Sequence, residues 1–431
     1  MSSIADTLID AGHQVTILHP FLDENSKKYV TSKANRIFIP ISKEIGEMYF
    51  NRNKKIWEQQ PLGDTLAATI ISVNVHALIC DGVFSDNNTM TSLATEGFNV
   101  GIAELFGVCG FGLVEALRIP QMIAVTATGI SEAIAEIFNI PITPSYIPAT
   151  ISAFSDRMTF LQRMVNFFWH HISKPFQRHF ILKCYLVGQM DKVDPASKEM
   201  FAKHGYEFDL FKIAKEKINY LLVNIDEYLD IARPVSQKVK YIGGIALGKP
   251  GKLDKYFEKI LQRSSNGTIV ISFGTLASTS IMPKTMKTAI INGVKVELKL
   301  VSLPEYTFIW KVDESDLSLD AGVNNLVTTK WLPQRELLSK SLDSLKLSKT
   351  VRLLFSDHPS VKAFVSHAGL NSVLESTKSG TPTIFVPIFA DQFKVNACSV
   401  VSLNAALVQR KNTTIVIQKE RLFPKKSSRN R

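Results

Sequence analysis

The sequence predicts an α/β fold in two wound halves, and three features carry that prediction. Apolar runs of strand length alternate with amphipathic stretches of helix length, the pattern of a parallel sheet covered by helices. The alternation stops at a turn-rich stretch, Gly243-Gly244 through Gly251, and then starts again. The chain has 431 residues, 45% apolar and 21% charged, too long for one ordinary core and ordinary enough in composition to exclude disordered, collagen-like and disulfide-scaffold classes. The predicted organisation is an N-terminal domain over 1–242, a linker over 243–251 and a C-terminal domain over 252–431.

In chain order, Ile4 to Gly12 reads as a helix stopped by glycine and Val15 to Leu18 as a strand, so the chain opens inside a βαβ unit, after its first strand. Further strands are expected at His76 to Cys80, Asn99 to Ala103 and Gln121 to Thr126, with helices near Gly110 to Leu117 and Ser131 to Phe138. Pro141, Pro144 and Pro148 then break the pattern. Arg157 to Leu186 is long and aromatic-rich, and two readings stand: a core or inter-domain helix pair, or an amphipathic segment lying on a membrane. Strands at Asn219 to Asn224 and Val239 to Ile242 lead to the linker, and the second half continues with Thr268 to Phe273, Tyr306 to Lys311, Ala363 to Ser366 and Thr383 to Pro387.

The net charge of +11 would suit a nucleic-acid or membrane ligand, but its location decides otherwise. Val408 to Arg431 carries +7, Ser339 to Phe355 +3 and Asn292 to Leu300 +1, which leaves the rest neutral. With no basic stripe interleaved with aromatics, nucleic-acid binding is not expected, while the basic tail favours an anionic surface. Cys80, Cys109, Cys184 and Cys398 are far apart, with no CxxC and no clustered histidines. They read as buried small apolar residues, with neither a zinc site nor a disulfide framework expected. The chain as given shows neither a signal peptide nor an apolar run of membrane-spanning length.

The richest segment is Phe364 to Gln392, FVSHAGLNSVLESTKSGTPTIFVPIFADQ. Its grammar is a buried strand, a small-residue turn at His367-Ala368-Gly369, a helix over Leu370 to Lys378 stopped by Gly380, a second strand, and then Asp391-Gln392. Such a turn presents backbone N–H groups and the positive end of a helix dipole above the carboxyl end of the strand, a natural seat for a diphosphate. Gly369 permits close backbone approach, and Asn371 and Ser372 add donors in the first turn. Glu375 lies on the same helix face, where a carboxylate accepts both hydroxyls of a ribose.

That segment resembles the signature of the UDP-glycosyltransferases, in the animal UDP-glucuronosyltransferase branch. Similar pieces are Ser272-Phe273-Gly274-Thr275, Tyr306-Thr307-Phe308-Ile309-Trp310-Lys311, Trp331-Leu332-Pro333-Gln334, Ile4-Ala5-Asp6-Thr7-Leu8 with Ala11-Gly12-His13, and Pro144-Ser145-Tyr146-Ile147-Pro148. The resemblance implies the GT-B architecture, two Rossmann-like domains facing a cleft, the first for the acceptor and the second for the UDP-sugar donor. It also assigns roles. Trp331 and Gln334 resemble the residues that hold the uracil, His367 the pyrophosphate ligand with Asn371 and Ser372 as helpers, and Glu375 the ribose ligand. Asp391 and Gln392 resemble the pair that reads the sugar, and Thr275 approaches the phosphates from the other side.

The implied reaction is inverting transfer of a glucuronosyl or glucosyl group to a hydroxyl of a small lipophilic acceptor, without a metal or other cofactor. Its base would be a histidine in the loop after the first strand, which this chain does not contain; Glu104 resembles the carboxylate partner of that base, and His13 is no substitute. The rival expectation is a catalytically inactive UDP-sugar-binding subunit in a homo- or hetero-oligomer with relatives. Ser339 to Phe355, Asn292 to Leu300 and Val395 to Leu403 look additional to the family pattern. The implied location is the lumenal side of the endoplasmic-reticulum membrane, with which sequons at Asn87, Asn266 and Asn412 are compatible.

Overall fold

The computed structural model describes residues 1–21, 24–51, 56–58, 62–105, 107–149, 152, 154–176, 195–263, 266–295, 297–298, 301–302, 306–340, 361–389, 391–392, 406–410 and 413–417. The chain divides into two compact units, Met1–Ala246 and Leu247–Arg431.

The first unit runs α1 (Ser2–Asp10), β1 (Thr16–Phe21), β2 (Asn35–Pro40), α2 (Lys43–Asn51), α3 (Leu62–Ser85), α4 (Asn87–Thr95), β3 (Val100–Glu104), α5 (Cys109–Ala116), β4 (Gln121–Thr126), α6 (Glu132–Ile137), α7 (Phe160–Phe176), α8 (Pro195–Lys203), α9 (Leu210–Glu216), β5 (Ile218–Val223) and β6 (Val239–Tyr241). β1 and β2 form a parallel pair, and β3-β4-β5-β6 a second, wholly parallel sheet. Met122, Ala124, Leu221 and Val223 are fully buried in that sheet, as expected for strands covered on both faces. Gly112 on α5 is fixed by packing, since a Cβ there would overlap the ring of Phe201.

Two expectations are corrected in this unit. His76 to Cys80 is not a strand but part of α3, because a five-residue apolar run has no period long enough to tell a strand from a buried helix. Cys80 and Cys109 are not simply small apolar residues: they form a disulfide between α3 and the first residue of α5, Cα atoms 5.4 Å apart. Their separation of 29 residues gives no local sign of that meeting. Cys184 and Cys398 lie outside the described residues.

The second unit runs α10 (Lys255–Leu261), β7 (Thr268–Ser272), α11 (Lys284–Lys295), β8 (Glu297–Leu298), β9 (Val301–Ser302), β10 (Thr307–Lys311), β11 (Leu326–Thr329), α12 (Gln334–Ser339), β12 (Val361–Ser366), α13 (Leu370–Ser379), β13 (Thr383–Phe385), β14 (Ala406–Arg410) and β15 (Thr413–Ile417). Its sheet has the order β11-β10-β7-β12-β13-β15-β14, with the first five strands parallel and β15 antiparallel to both neighbours. The chain moves outward from β7 through β10 to β11, then crosses to the other side of β7 as β12. This reversal is a topological switch point, where carboxyl-end loops part and leave a crevice. Val270, Ile309, Phe364, Leu337 and Leu338 bury the sheet against α12. The Asn292 to Leu300 stretch ends α11 and enters the short β8-β9 ribbon; most of Ser339 to Phe355 and all of Val395 to Leu403 lie outside the described residues.

Candidate functional site

Three strand ends converge at the switch point of the second unit. β12 pairs with β7 up to Ser366 opposite Ser272, so the next residues, His367 and the Phe273-Gly274-Thr275 turn, emerge side by side. β10 flanks β7 on its other side and ends in Lys311.

The turns are shaped around the His367 ring. Gly274 has φ +80, and a Cβ there would stand 2.7 Å from Cε1 of His367; a Cβ on Gly369 would overlap Nε2 of the same ring. Ala368 between them takes φ +64, uncommon for a residue with a side chain and consistent with a turn constrained on both sides. Both glycines are therefore needed as absences. Burial, and then the charge of Lys311, lowers the His367 pKa from 6.5 to about 4 against an opposing hydrogen bond with the Ser272 backbone. At neutral pH the ring is uncharged and keeps one N–H to donate.

Lys311 is the residue that sequence reasoning missed. Its Nζ donates to Gly274 O at 2.6 Å, which fixes the turn and sets an ammonium beside His367. Burial lowers the Lys311 pKa, and Asp313 opposes the shift. Burial works against the Asp313 carboxylate, yet bonds from Ser278 and Ser280 outweigh it and lower its pKa. The available signal was a lysine closing an otherwise apolar central strand.

α13 follows Gly369, which supplies no side-chain cap to its first turn. It ends at Gly380 in the left-handed conformation with φ +63, as the glycine stop predicts. Asn371 is exposed in the first turn, Ser372 buried, and Glu375 partly buried one turn on. Gln334, first residue of α12, donates its amide to Ser372 Oγ at 3.1 Å and to Glu375 Oε2 at 2.6 Å. Burial raises the Glu375 pKa, and the Gln334 bond opposes that shift. Trp331, just before α12, is 56% exposed, its carbonyl accepting from Thr329 Oγ1 at 2.8 Å.

The structure thus brings Thr275, His367, Gly369, Asn371 and Ser372 to one sheet end, and links Ser372 through Gln334 to Glu375. Asp391 and Gln392 follow β13, the next strand in the sheet. Gln392 is 3% exposed and faces its own loop, Oε1 accepting from the Ile388 and Phe389 N–H groups at 2.8 and 3.0 Å. Glu104 belongs to the first unit, at the end of β3, where Oε1 accepts from the Ala127 N–H at 3.0 Å across the end of β4.

A profile of the family described as UDP-glucoronosyl and UDP-glucosyl transferase matches residues 1–416. The Caenorhabditis elegans protein ugt-60 is 28% identical over 72% of this chain and 55% of its own length. Human UDP-glucuronosyltransferase 3A2 is 26% identical over 91% of this chain and 68% of its own length. This chain therefore spans little more than half of the first relative and about two-thirds of the second. Among solved structures, UDP-glucose: anthocyanidin 3-O-glucosyltransferase in complex with UDP shares the fold with a TM-score of 0.52 at 16% identity, covering 92% of this chain and 79% of that one.

Proposed function

Since the chain belongs to the UDP-glucoronosyl and UDP-glucosyl transferase family, we propose that it moves a glucuronosyl or glucosyl group from a UDP-sugar to a hydroxyl of a small lipophilic acceptor, inverting the anomeric carbon. The observation that carries this reading is the convergence of Lys311, the Gly274-Thr275 turn, His367 and the N-terminal end of α13 on one switch point. Each offers a donor or a positive pole to a diphosphate, and together they suit two phosphates rather than one.

In this reading the uracil stacks on Trp331 and meets Gln334, the ribose hydroxyls go to Glu375, and Asp391 reads the sugar from the loop that Gln392 holds through the Ile388 and Phe389 N–H groups, leaving only the Gln392 amide nitrogen for the sugar. The acceptor oxygen attacks the anomeric carbon from the face opposite UDP. The carbon–oxygen bond to the β-phosphate breaks, and its electron pair leaves with UDP. The charge that builds there is met by the His367 N–H, Lys311 and the α13 terminus, groups already in place before the reaction. The acceptor hydroxyl gives up its proton to a general base of the kind the resemblance implies, a histidine oriented by a carboxylate, for which Glu104 is the candidate partner. The Cys80–Cys109 disulfide supports an oxidising compartment for the protein, in keeping with the lumenal side of the endoplasmic reticulum.

The test is thermal unfolding of the chain with and without UDP, followed by product analysis with UDP-glucuronic acid and UDP-glucose. UDP at about 100 times its dissociation constant stabilises a competent site by about 2.7 kcal/mol. The shift is expected to vanish in Glu375→Ala. A folded chain that UDP does not stabilise defeats the proposal, and stabilisation without transfer to any hydroxylated acceptor reduces it to a UDP-sugar-binding subunit.

A further inference from the structure

The chain leaving β10 reaches back to the loop after β7 at two points. Lys311, the last residue of β10, donates to Gly274 O at 2.6 Å. Two residues on, Asp313 bonds reciprocally with the far end of the same loop. Its Oδ2 accepts from the Ser280 N–H at 2.9 Å and from the Ser278 hydroxyl, and its own N–H donates to Thr279 Oγ1 at 2.8 Å. β10 and β7 pair in parallel, with Trp310 opposite Ile271, so the two loops leave the sheet at the same end.

The loop is therefore tied at Gly274 and again over Ser278 to Ser280, with Thr275 and Leu276 exposed between the ties. The second tie is deep, since Thr279 is buried. Asp313 itself stands on a fixed base. In the segment that follows it, Asp316 accepts from Lys287 Nζ on α11 at 2.7 and 2.9 Å, and Asp320 Oδ2 accepts from the Thr328 N–H at 3.2 Å. Burial by itself would push the Asp313 pKa up, but the bonds from Ser278 and Ser280 outweigh it, with the Lys311 charge contributing least. The carboxylate is committed chiefly to the loop rather than to the lysine. A negative charge beside a turn that receives two phosphates works against the ligand, so what Asp313 contributes there is the shape of the turn.

We propose that Asp313 is a positioning residue of the donor site: through Ser278, Thr279 and Ser280 it closes the loop that presents Thr275 to the diphosphate, and it does so by hydrogen bonding rather than by charge. This role rests on the UDP-sugar reading given above. Lys311 fixes one end of the loop and brings a charge to the ligand, whereas Asp313 fixes the other end and brings only order. A loop tied at one end alone would have to be ordered when the donor binds, and that entropy would be lost from the affinity. Two ties made before the donor arrives remove the loss.

The experiment compares Asp313→Ala and Asp313→Asn with the wild type in the full chain, by titration calorimetry with UDP and with uridine, and by hydrogen exchange of the Thr275 to Ala277 amides without ligand. Asparagine keeps an oxygen that accepts from Ser278 and Ser280 but removes the charge, and alanine removes both. Asp313→Ala is expected to bind UDP about tenfold more weakly, to bind uridine as the wild type does, and to exchange those amides about tenfold faster. Asp313→Asn is expected to match the wild type in all three. Circular dichroism checks the fold, and Thr279→Val, which removes the acceptor of the Asp313 N–H, carries the test should Asp313→Ala not fold, with an expected loss of about threefold in UDP affinity. Undiminished UDP binding by folded Asp313→Ala overturns the proposal while the donor reading stands. Equal losses of UDP and uridine affinity make Asp313 a general support of the unit and overturn it as well. A loss in Asp313→Asn as large as in Asp313→Ala assigns the effect to charge and refutes the hydrogen-bonding role. A wild type that binds neither UDP nor uridine defeats the donor reading itself, and the role of Asp313 with it.

Discussion

Protonation of His367 should limit the acid stability of the second unit, by an amount that follows from its environment. The unfolded chain takes up the proton around pH 6.5, whereas the folded ring refuses it until about 4. Between those values the unfolded state binds more protons, so stability rises with pH across the window and is lost as pH falls through it. The full gap of about 2.5 pH units corresponds to about 3 kcal/mol, of which about 2 kcal/mol lies between pH 7 and pH 5. For a unit of this size that amounts to about 4–8 °C in Tm. Glu375 works in the opposite sense, since its raised pKa adds stability at low pH that is lost as the carboxyl ionises. The assay is therefore differential: thermal unfolding at pH 7, 6 and 5 for the wild type and His367→Gln, with every other titrating group common to both. The variant is expected to lose about 4–8 °C less than the wild type between pH 7 and 5. Parallel pH profiles would refute the reasoning, because they would mean that the folded ring takes its proton as easily as the unfolded one.

Gly274→Ala must place a methyl against the His367 ring at φ +80, so it should cost about 1–3 kcal/mol of stability and abolish stabilisation by UDP, both read from the same melting curves. Trp331→Ala removes a ring that is 56% exposed and should weaken UDP binding by about 1–3 kcal/mol, the worth of one stacked base, measured by titration calorimetry. Cys80→Ser opens the link between α3 and α5 and should destabilise the first unit by about 3–4 kcal/mol, with the same loss in wild type treated with reductant and no further loss in the reduced variant.

What was legible in the sequence was local. The strand over β12, the small-residue turn, the helix α13 and its glycine stop lie within twenty consecutive residues, and each is decided by its neighbours: period, cap and φ requirement agree. What was not legible depended on parts of the chain that meet only on folding. Lys311 closes an apolar strand and looks like a solvated end until β10 pairs beside β7 and its ammonium reaches Gly274. Cys80 and Cys109 carry no mutual signal until α3 crosses the start of α5. His76 to Cys80 is helical rather than a strand because a five-residue apolar run is too short to show the period that separates the two. In α7 composition suggested a core helix as readily as a surface one, and only the bonds of Asn166 and His170 reveal which side faces inward.

The pairing of Lys311 with His367 also avoids a charge conflict. Two cations buried side by side would repel and would each lose hydration, a cost that grows with burial. The fold avoids this by keeping one donor charged and the other neutral. Lys311 holds its ammonium against the Gly274 carbonyl, and its charge is one reason His367 does not take a proton. A diphosphate entering above the turn changes the balance, because its negative charge favours protonation of the ring that Lys311 opposed. If His367 meets the diphosphate as proposed, donor binding should be accompanied by proton uptake there, and the residue that opposes that proton beforehand is the lysine that no local pattern singled out.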